Sequence, residues 1–152
     1  MKQVNLIVVG KLKDKNLELI EAEFIKRINE FSLQIFELKA NAESPIAEGE
    51  EILKKLKELS LKSPVYPIAL TEYGKEYSSV EFSEWFYQLL ENDIRPTFII
   101  SGAEKFSPEV LKICKTKISL SKLTFPHKIA RILLVEQLYR SMTIKKGHPY
   151  HN

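Results

Sequence analysis

No stretch of this sequence is apolar for long enough to cross a bilayer: runs such as Ile132 to Val135 are a fraction of the roughly 20 residues required. The opening Met1-Lys2-Gln3-Val4-Asn5 lacks the apolar core and small-residue cleavage site of a secretory signal. The single cysteine, Cys114, cannot form an internal disulfide, so nothing points to an oxidising compartment. It reads as a small buried apolar side chain rather than a nucleophile. A cytoplasmic protein with no membrane partner is the expectation.

Other absences remove whole classes of chemistry. The spaced glycines of G-x-G-x-x-G are missing, and so is G-x-x-x-x-G-K, which sets aside the dinucleotide fingerprint and the P-loop. The histidines, His127, His148 and His151, all fall near the C-terminus. Pro149 keeps His148 and His151 off a common helix face, and no cysteine or acid accompanies them, so no metal site is expected. No Ser-His-Asp or Cys-His arrangement can be assembled from the spacing. Repeats, low-complexity tracts and long linkers are absent too, and 152 residues suit one domain spanning 1–152.

Charge is present, and it is uneven. Residues 103–152 hold ten Lys and Arg against three acids, whereas 1–102 hold 13 basic and 17 acidic residues. A basic C-terminal third on an acidic remainder suits contact with phosphates, although lysines also serve simply to solvate helix faces.

Apolar patterning alternates between strand and helix. Val4 to Val9 is a nearly continuous β-branched run closed by Gly10, as a buried strand would be. Leu17, Ile20, Phe24, Ile28 and Phe31 recur at helical spacing. Leu33 to Leu38 predicts a strand, and about Ile46 to Leu61 a helix burying Ile52, Leu53, Leu56 and Leu59. The stretch Ala40 to Gly49 is the loosest and reads as a surface loop. Val65 to Leu70 predicts a strand with Pro67 near its start. Ser78 or Ser79 caps a helix carrying Phe82, Trp85, Phe86 and Leu89, and Thr97 to Ile100 follows as a strand. Ser107-Pro108-Glu109 has the hydroxyl cap, first-position proline and early acid of a helix start. Lys117 to Leu120 predicts a strand. A last helix from about Pro126 to Met142 should bury Ile129, Ile132, Leu133 and Met142, with Glu136 placed to pair with Arg140. Five strands alternating with five helices predict an α/β fold, a mostly parallel sheet with helices on both faces.

In such a sheet, ligands bind beyond the carboxyl ends of the strands. Three loops qualify: Thr71 to Lys75, Ser101 to Ser107, and Ser121 to His127. Each leads towards a helix whose amide end can face a ligand. Gly102 permits a close backbone approach, or only a tight turn. His127 suits general base work by type, yet histidines at helix starts also cap and pack. The tail Lys145-Lys146-Gly147-His148-Pro149-Tyr150-His151-Asn152 carries rings that stack on bases, behind lysines that meet phosphates; a frayed terminus is the plainer reading.

Several motifs then fall into order: Leu120-Ser121-Lys122-Leu123-Thr124-Phe125-Pro126-His127, Ala130-Arg131-Ile132-Leu133-Leu134, Glu136-Gln137-Leu138-Tyr139-Arg140 and Gly147-His148-Pro149-Tyr150-His151. With Ile7-Val8-Val9-Gly10-Lys11-Leu12-Lys13 near the start and Gly74-Lys75 before Ser78-Ser79, the chain closely resembles the RlmH family over nearly its whole length. These are ribosomal large-subunit RNA methyltransferases of the SPOUT class, acting at N3 of a pseudouridine. The resemblance implies a C-terminal trefoil knot, an exception to the rule that chains are unknotted. It implies a homodimer in which one subunit's tail helps to complete the other's site, S-adenosylmethionine as cofactor, and helix 69 of 23S rRNA within the assembled ribosome as substrate. By position, the cofactor would meet Leu70, Thr71, Gly102 and the run Ser121, Lys122, Leu123, Thr124, Phe125 and Pro126. His127, Arg131, Arg140, Tyr150 and His151 would stand on the substrate side; the lesser alternative for Arg131 and Arg140 is as structural partners of Glu136.

The chain departs from the family in one loop. Ser101 and Lys105 replace the first and third glycines of G-G-x-x-G; a positive φ at 105 would strain a lysine by about 1–2 kcal/mol. Asn152 ends the tail where a basic residue is common. Two other readings follow: a ribosome-binding protein of this fold that has lost catalysis, and a related enzyme acting on transfer RNA.

Overall fold

In the computed structural model, which describes residues 1–41, 43–102 and 105–152, the run Val4 to Val9 forms most of strand β1 (Lys2–Val9). Its residues alternate between two cores: Val4, Leu6 and Val8 join one, Ile7 and Val9 the other. A strand covered on both faces has no side left for polar residues, which explains the unbroken apolar run. Asn5 is the exception, fully buried and donating to Thr97 Oγ1 at 3.1 Å.

The remaining elements are α1 (Lys15–Arg27), β2 (Phe31–Leu38), α2 (Pro45–Ser60), β3 (Val65–Glu76), α3 (Ser79–Glu91), β4 (Arg95–Ile100), α4 (Pro108–Ile113), β5 (Thr116–Ser119) and α5 (His127–Lys146). The strands form one sheet in the order β2-β1-β4-β3-β5, parallel at every pairing. Helices α1, α3 and α5 pack on one face around Phe82, Phe86, Phe98 and Leu138. Helices α2 and α4 cover the other around Ile52, Leu56 and Val110. The expected α/β architecture, with helices on both faces, is what the chain forms.

Hydroxyls start three of the helices. Ser78 accepts the Glu81 N–H while Glu81 returns a bond to the Ser78 N–H, a complete capping box before α3. The backbone N–H of Ser78 on its carboxylate, with the side-chain hydroxyl second, holds Glu81 below the ordinary range. Ser107 caps α4 as expected. Ser44 caps α2 by accepting from Ala47 N at 3.1 Å, with Pro45 in the first turn. The helix expected from about Ile46 thus begins at Pro45, and the loop reading of Ala40 to Gly49 is corrected from Pro45 onward, because Ser44-Pro45 is itself a start signal.

Two helical faces also differ from expectation. In α1 the only fully buried residue is Glu21, while Ile20 is exposed, Ile28 ends the helix and Phe31 opens β2. In α5 Ile129 and Leu133 are exposed and Ile132 half-buried; the buried set is Arg131, Leu134, Val135, Leu138, Tyr139, Ser141, Met142 and Thr143. Of the four residues expected inside, only Met142 is.

β3 runs beyond the expected Leu70 by folding out and rejoining. Both Leu70 and Lys75 register with Ile118 of β5, so residues 71–74 bulge from the ladder. The return is tight: a Cβ on Gly74 would lie 2.6 and 2.7 Å from the Ile118 N and Cα.

Candidate functional site

The carboxyl ends of β3, β4 and β5 lie side by side in the sheet, and the segments leaving them enclose a cleft of about 650 Å³. That lies in the range of small-molecule sites, about 300–1,000 Å³. The β3 bulge contributes Leu70, Thr71, Glu72 and Tyr73. From β4 and beyond come Ile100, Ser101, Gly102, Lys105 and Phe106; the expectation for Ala103 and Glu104 lies outside the described residues. After β5 come Ser119 to Ser121, then Leu123 to His127, and Ala130 closes the wall from α5.

Local hydrogen bonds fix these segments. Ser119 Oγ donates to the Ser121 carbonyl at 2.8 Å, and Ser121 Oγ accepts the Leu123 N–H at 3.0 Å. Such hydroxyl turns order a short loop without secondary structure. Pro126 provides no side-chain cap for α5, so the positive end of a 20-residue helix opens where Pro126, His127 and Ala130 line the cleft.

Gly102 has an ordinary φ, so its need for glycine is spatial. A Cβ there would meet the Glu48 carboxylate oxygens at 2.9 and 3.1 Å and Val9 Cγ1 at 3.2 Å.

Of the expected cofactor set, Leu70, Thr71, Gly102, Ser121, Leu123, Thr124, Phe125 and Pro126 line the cleft. Lys122 does not: its side chain points to solvent and lies 4.0 Å from Glu76. Of the expected substrate-side groups, only His127 reaches the cleft. It also lines a crevice with Gly10, Lys11 and Lys128, where a Cβ on Gly10 would stand 4.0 Å from His127 Nε2.

Arg131 lines that crevice and not the cleft. It is 6% exposed and donates from Nε and Nη2 to both oxygens of Glu21 at 2.7 and 2.8 Å, and from Nη1 to Glu37 at 2.7 Å. Burial alone would lower its pKa; the hydrogen bonds it donates to Glu21 and Glu37, with their charges, outweigh it and raise it. Neither carboxylate is Glu136, so the structural partner expected for Arg131 is corrected to α1 and β2.

Arg140, Tyr150 and His151 form a cluster of their own. Arg140 grips Glu136 through Nε at 3.0 Å and Nη2 at 2.9 Å, and Nη1 donates to His151 Nδ1 at 2.9 Å. Its guanidinium lies 4.9 Å from the Tyr150 ring centroid, and the Tyr150 hydroxyl donates to Glu136 at 3.3 Å. Tyr150 also packs edge-on against Tyr139 at 4.8 Å. The Glu136 hydrogen bond raises the Arg140 pKa, and burial, then the Glu136 charge, raises that of Tyr150. The tail is therefore folded, not frayed. Nine to 13 helical residues separate Glu136 and Arg140 from His127, about 14–20 Å along α5, so one chain does not bring this cluster to its own cleft.

Glu48 is the residue that pattern reading missed. It is 5% exposed, accepts the Asn41 N–H at 2.7 Å and stands directly behind Gly102. Among the described residues no group of His, Cys, Asp and Glu is placed to hold a metal ion, and no helix is long and apolar enough to span a membrane.

Comparison with known proteins places this fold in a family. A family model described as "Predicted SPOUT methyltransferase" matches residues 1–151. Proteins named ribosomal RNA large subunit methyltransferase H from Ligilactobacillus salivarius (strain UCC118) and Clostridium tetani (strain Massachusetts / E88) are 42% and 36% identical to the chain; each match covers 97% of this chain and 98% of its relative. The crystal structure of the SpoU methyltransferase AviRb from Streptomyces viridochromogenes, in complex with the cofactor AdoMet, aligns with a TM-score of 0.55 at 9% identity, over 93% of this chain and 58% of that one. At that identity the likeness speaks to fold alone. Taken with the parallel sheet and its three convergent strand ends, the full-length matches place the chain in the SPOUT methyltransferase family, in the group of the ribosomal RNA large subunit methyltransferases H.

Proposed function

We propose that this protein is an S-adenosylmethionine-dependent methyltransferase acting on N3 of a pseudouridine in helix 69 of 23S rRNA, within the assembled ribosome and as a homodimer. The observation that carries the reading is the cleft walled by Gly102, the β3 bulge and the Ser121 to Pro126 loop, in a chain related end to end to the large-subunit enzymes. A C-terminal trefoil knot belongs to the same reading, with β3 and β5 paired tightly at Gly74 before α5.

The residues present fit the cofactor. At about 650 Å³ the cleft is large enough, and Gly102 lines it with a bare Cα whose side-chain direction is already taken by Glu48 and Val9. Backbone groups near Leu70, Thr71, Gly102 and Ser121 to Pro126 would hold the adenine and the amino acid, with Leu123 and Phe125 as apolar walls. When bound, the cofactor supplies an electrophilic methyl on a sulfonium. The protein must then present the base nitrogen in line with that methyl and accept its N3 proton. His127, at the open end of α5 and on the cleft wall, is the group in place to take that proton at a ring nitrogen. Lys11 and Lys128 flank it, and among the described residues neither forms an ion pair, which leaves both for RNA phosphates. Arg140, Tyr150 and His151 would act from the tail of a second copy. Arg131 is assigned to holding α5 in place instead of touching substrate.

The test is transfer of labelled methyl from S-adenosylmethionine to whole ribosomes that lack the modification, with free ribosomal RNA and transfer RNA alongside. Label on ribosomes, mapped to one pseudouridine, is expected. Label on transfer RNA with ribosomes inert would give the protein a different substrate. Ribosome and cofactor binding without transfer would make it a binding protein.

A further inference from the structure

We propose that Glu48 and Gly49, at the start of α2, clamp the connection between β4 and α4 at Gly102 and at Ser107, and that Glu48 is thereby a positioning residue for the methyl donor. The inference rests on the reading that Gly102 walls the cofactor site.

The two contacts come from neighbouring residues. At one end the Glu48 carboxylate stands where a Cβ on Gly102 would come, 2.9 and 3.1 Å from its two oxygens. This carboxylate is not a loose surface group. It is 5% exposed, its Oε2 accepts the Asn41 N–H at 2.7 Å, and it lies in the first turn of α2, where the helix amide end favours an anion. At the other end a Cβ on Gly49 would collide with Ser107 Oγ and lie 2.9 Å from Ser107 Cβ. Ser107 cannot step aside cheaply, since it is buried and its Oγ accepts the Val110 N–H in capping α4. One turn of helix on the far side of the sheet edge thus fixes where β4 ends and where α4 begins.

This arrangement accounts for the departure in the same connection. Backbone positioned from behind by α2 at Gly102 and Ser107 does not depend on glycine at 101. The requirement falls on Gly102, which must stay bare for Glu48 to remain in place. A preorganised wall of this kind loses ligand affinity when its support is removed, even if the wall residue itself is unchanged.

The experiment is calorimetric titration of S-adenosylmethionine into the full chain as wild type, E48A, E48D, G102A and the double variant G102A/E48A, with thermal unfolding measured alongside. E48A is expected to weaken binding about tenfold, the scale at which supporting residues act, and to raise KM for the cofactor while KM for ribosomes stays unchanged. In wild type, G102A should weaken binding sharply. In the E48A background it should cost far less, because the obstructing carboxylate is gone and Val9 Cγ1 alone remains close. E48D, which withdraws the carboxylate by one methylene, supplies the same comparison should E48A not fold. Binding by E48A within about twofold of wild type would overturn the clamp, as would an equal loss from G102A in both backgrounds. If G102A bound the cofactor as well as wild type did, the placement of the cofactor site itself would fall.

Discussion

Glu21 and Glu37 lie 110 and 94 residues from Arg131 in the chain, yet both reach its guanidinium. Nothing in local spacing could announce this. Helical spacing sets Glu136 four residues from Arg140, its observed partner, but five from Arg131, where helix neighbours do not meet. The pairs also differ in environment: Arg131 and Glu21 have side chains 7% and 9% exposed, whereas Glu37 keeps a third of its surface in water and gains correspondingly less. Removing one partner of a buried pair strands the other charge. Arg131→Ala should therefore lower unfolding free energy by about 3–5 kcal/mol, read from urea denaturation with an unchanged m-value. Arg131→Lys should recover little of it, since one ammonium cannot make the paired bonds to Glu21. A loss below about 1 kcal/mol would mean that water reaches the cluster and that Arg131 does not hold α5 to α1.

At the scale of elements, legibility followed the source of each signal. β1 was plain because a strand buried on both faces is apolar throughout, and α3 and α4 were plain because Ser78 and Ser107 announce their starts. Helix α2 starts at Pro45, one residue before the expected Ile46, and only the loop reading of Ala40 to Gly49 ran on across its acid-rich, glycine-containing first turn. Helix α5 misled for a physical reason. Its inward face carries Arg131, Ser141 and Thr143, the hydroxyls satisfied by the Gln137 and Arg140 carbonyls, while Ile129 and Leu133 point outward. A helix apolar on both sides has no single stripe to read. β3 was legible only to Leu70, because the bulge and the return at Lys75 depend on β5, more than 40 residues on. There Gly74 is the position on which the cleft's first wall turns. Gly74→Ala would drive a methyl into the Ile118 backbone, which has no rotamer with which to yield. The expected result is a loss of about 1–3 kcal/mol in stability and a larger proportional loss of cofactor affinity, because Thr71 to Tyr73 move with the splayed strand. Full affinity in a destabilised Gly74→Ala protein would separate the bulge from the site.

For the whole molecule, the unresolved tension is distance. His127 lines the cleft while Arg140, Tyr150 and His151 gather at the other end of the same helix, about 20 Å away. A folded tail with a guanidinium, a phenol and an imidazole has no substrate to meet within its own chain. Exposed Ile129 and Leu133 project from α5 on either side of Ala130 and Arg131, close to the cleft's rim, and Leu123 is exposed on the loop before it. A second copy seated there would cover those apolar side chains and bring its tail to this cleft. The proposed homodimer thus predicts complementation. Gly102→Val should spoil the cleft and keep the tail; a Tyr150→Ala/His151→Ala variant should do the reverse. Each alone should be inactive on ribosomes. Mixed and allowed to exchange, half of the dimers would carry one intact composite site, restoring about a quarter of wild-type transfer. Leu133→Glu in both chains should abolish the recovery by leaving monomers, visible in sedimentation, with the fold retained. If mixed dimers form and stay inactive, the tail serves its own chain, and α5 would have to move for it to do so.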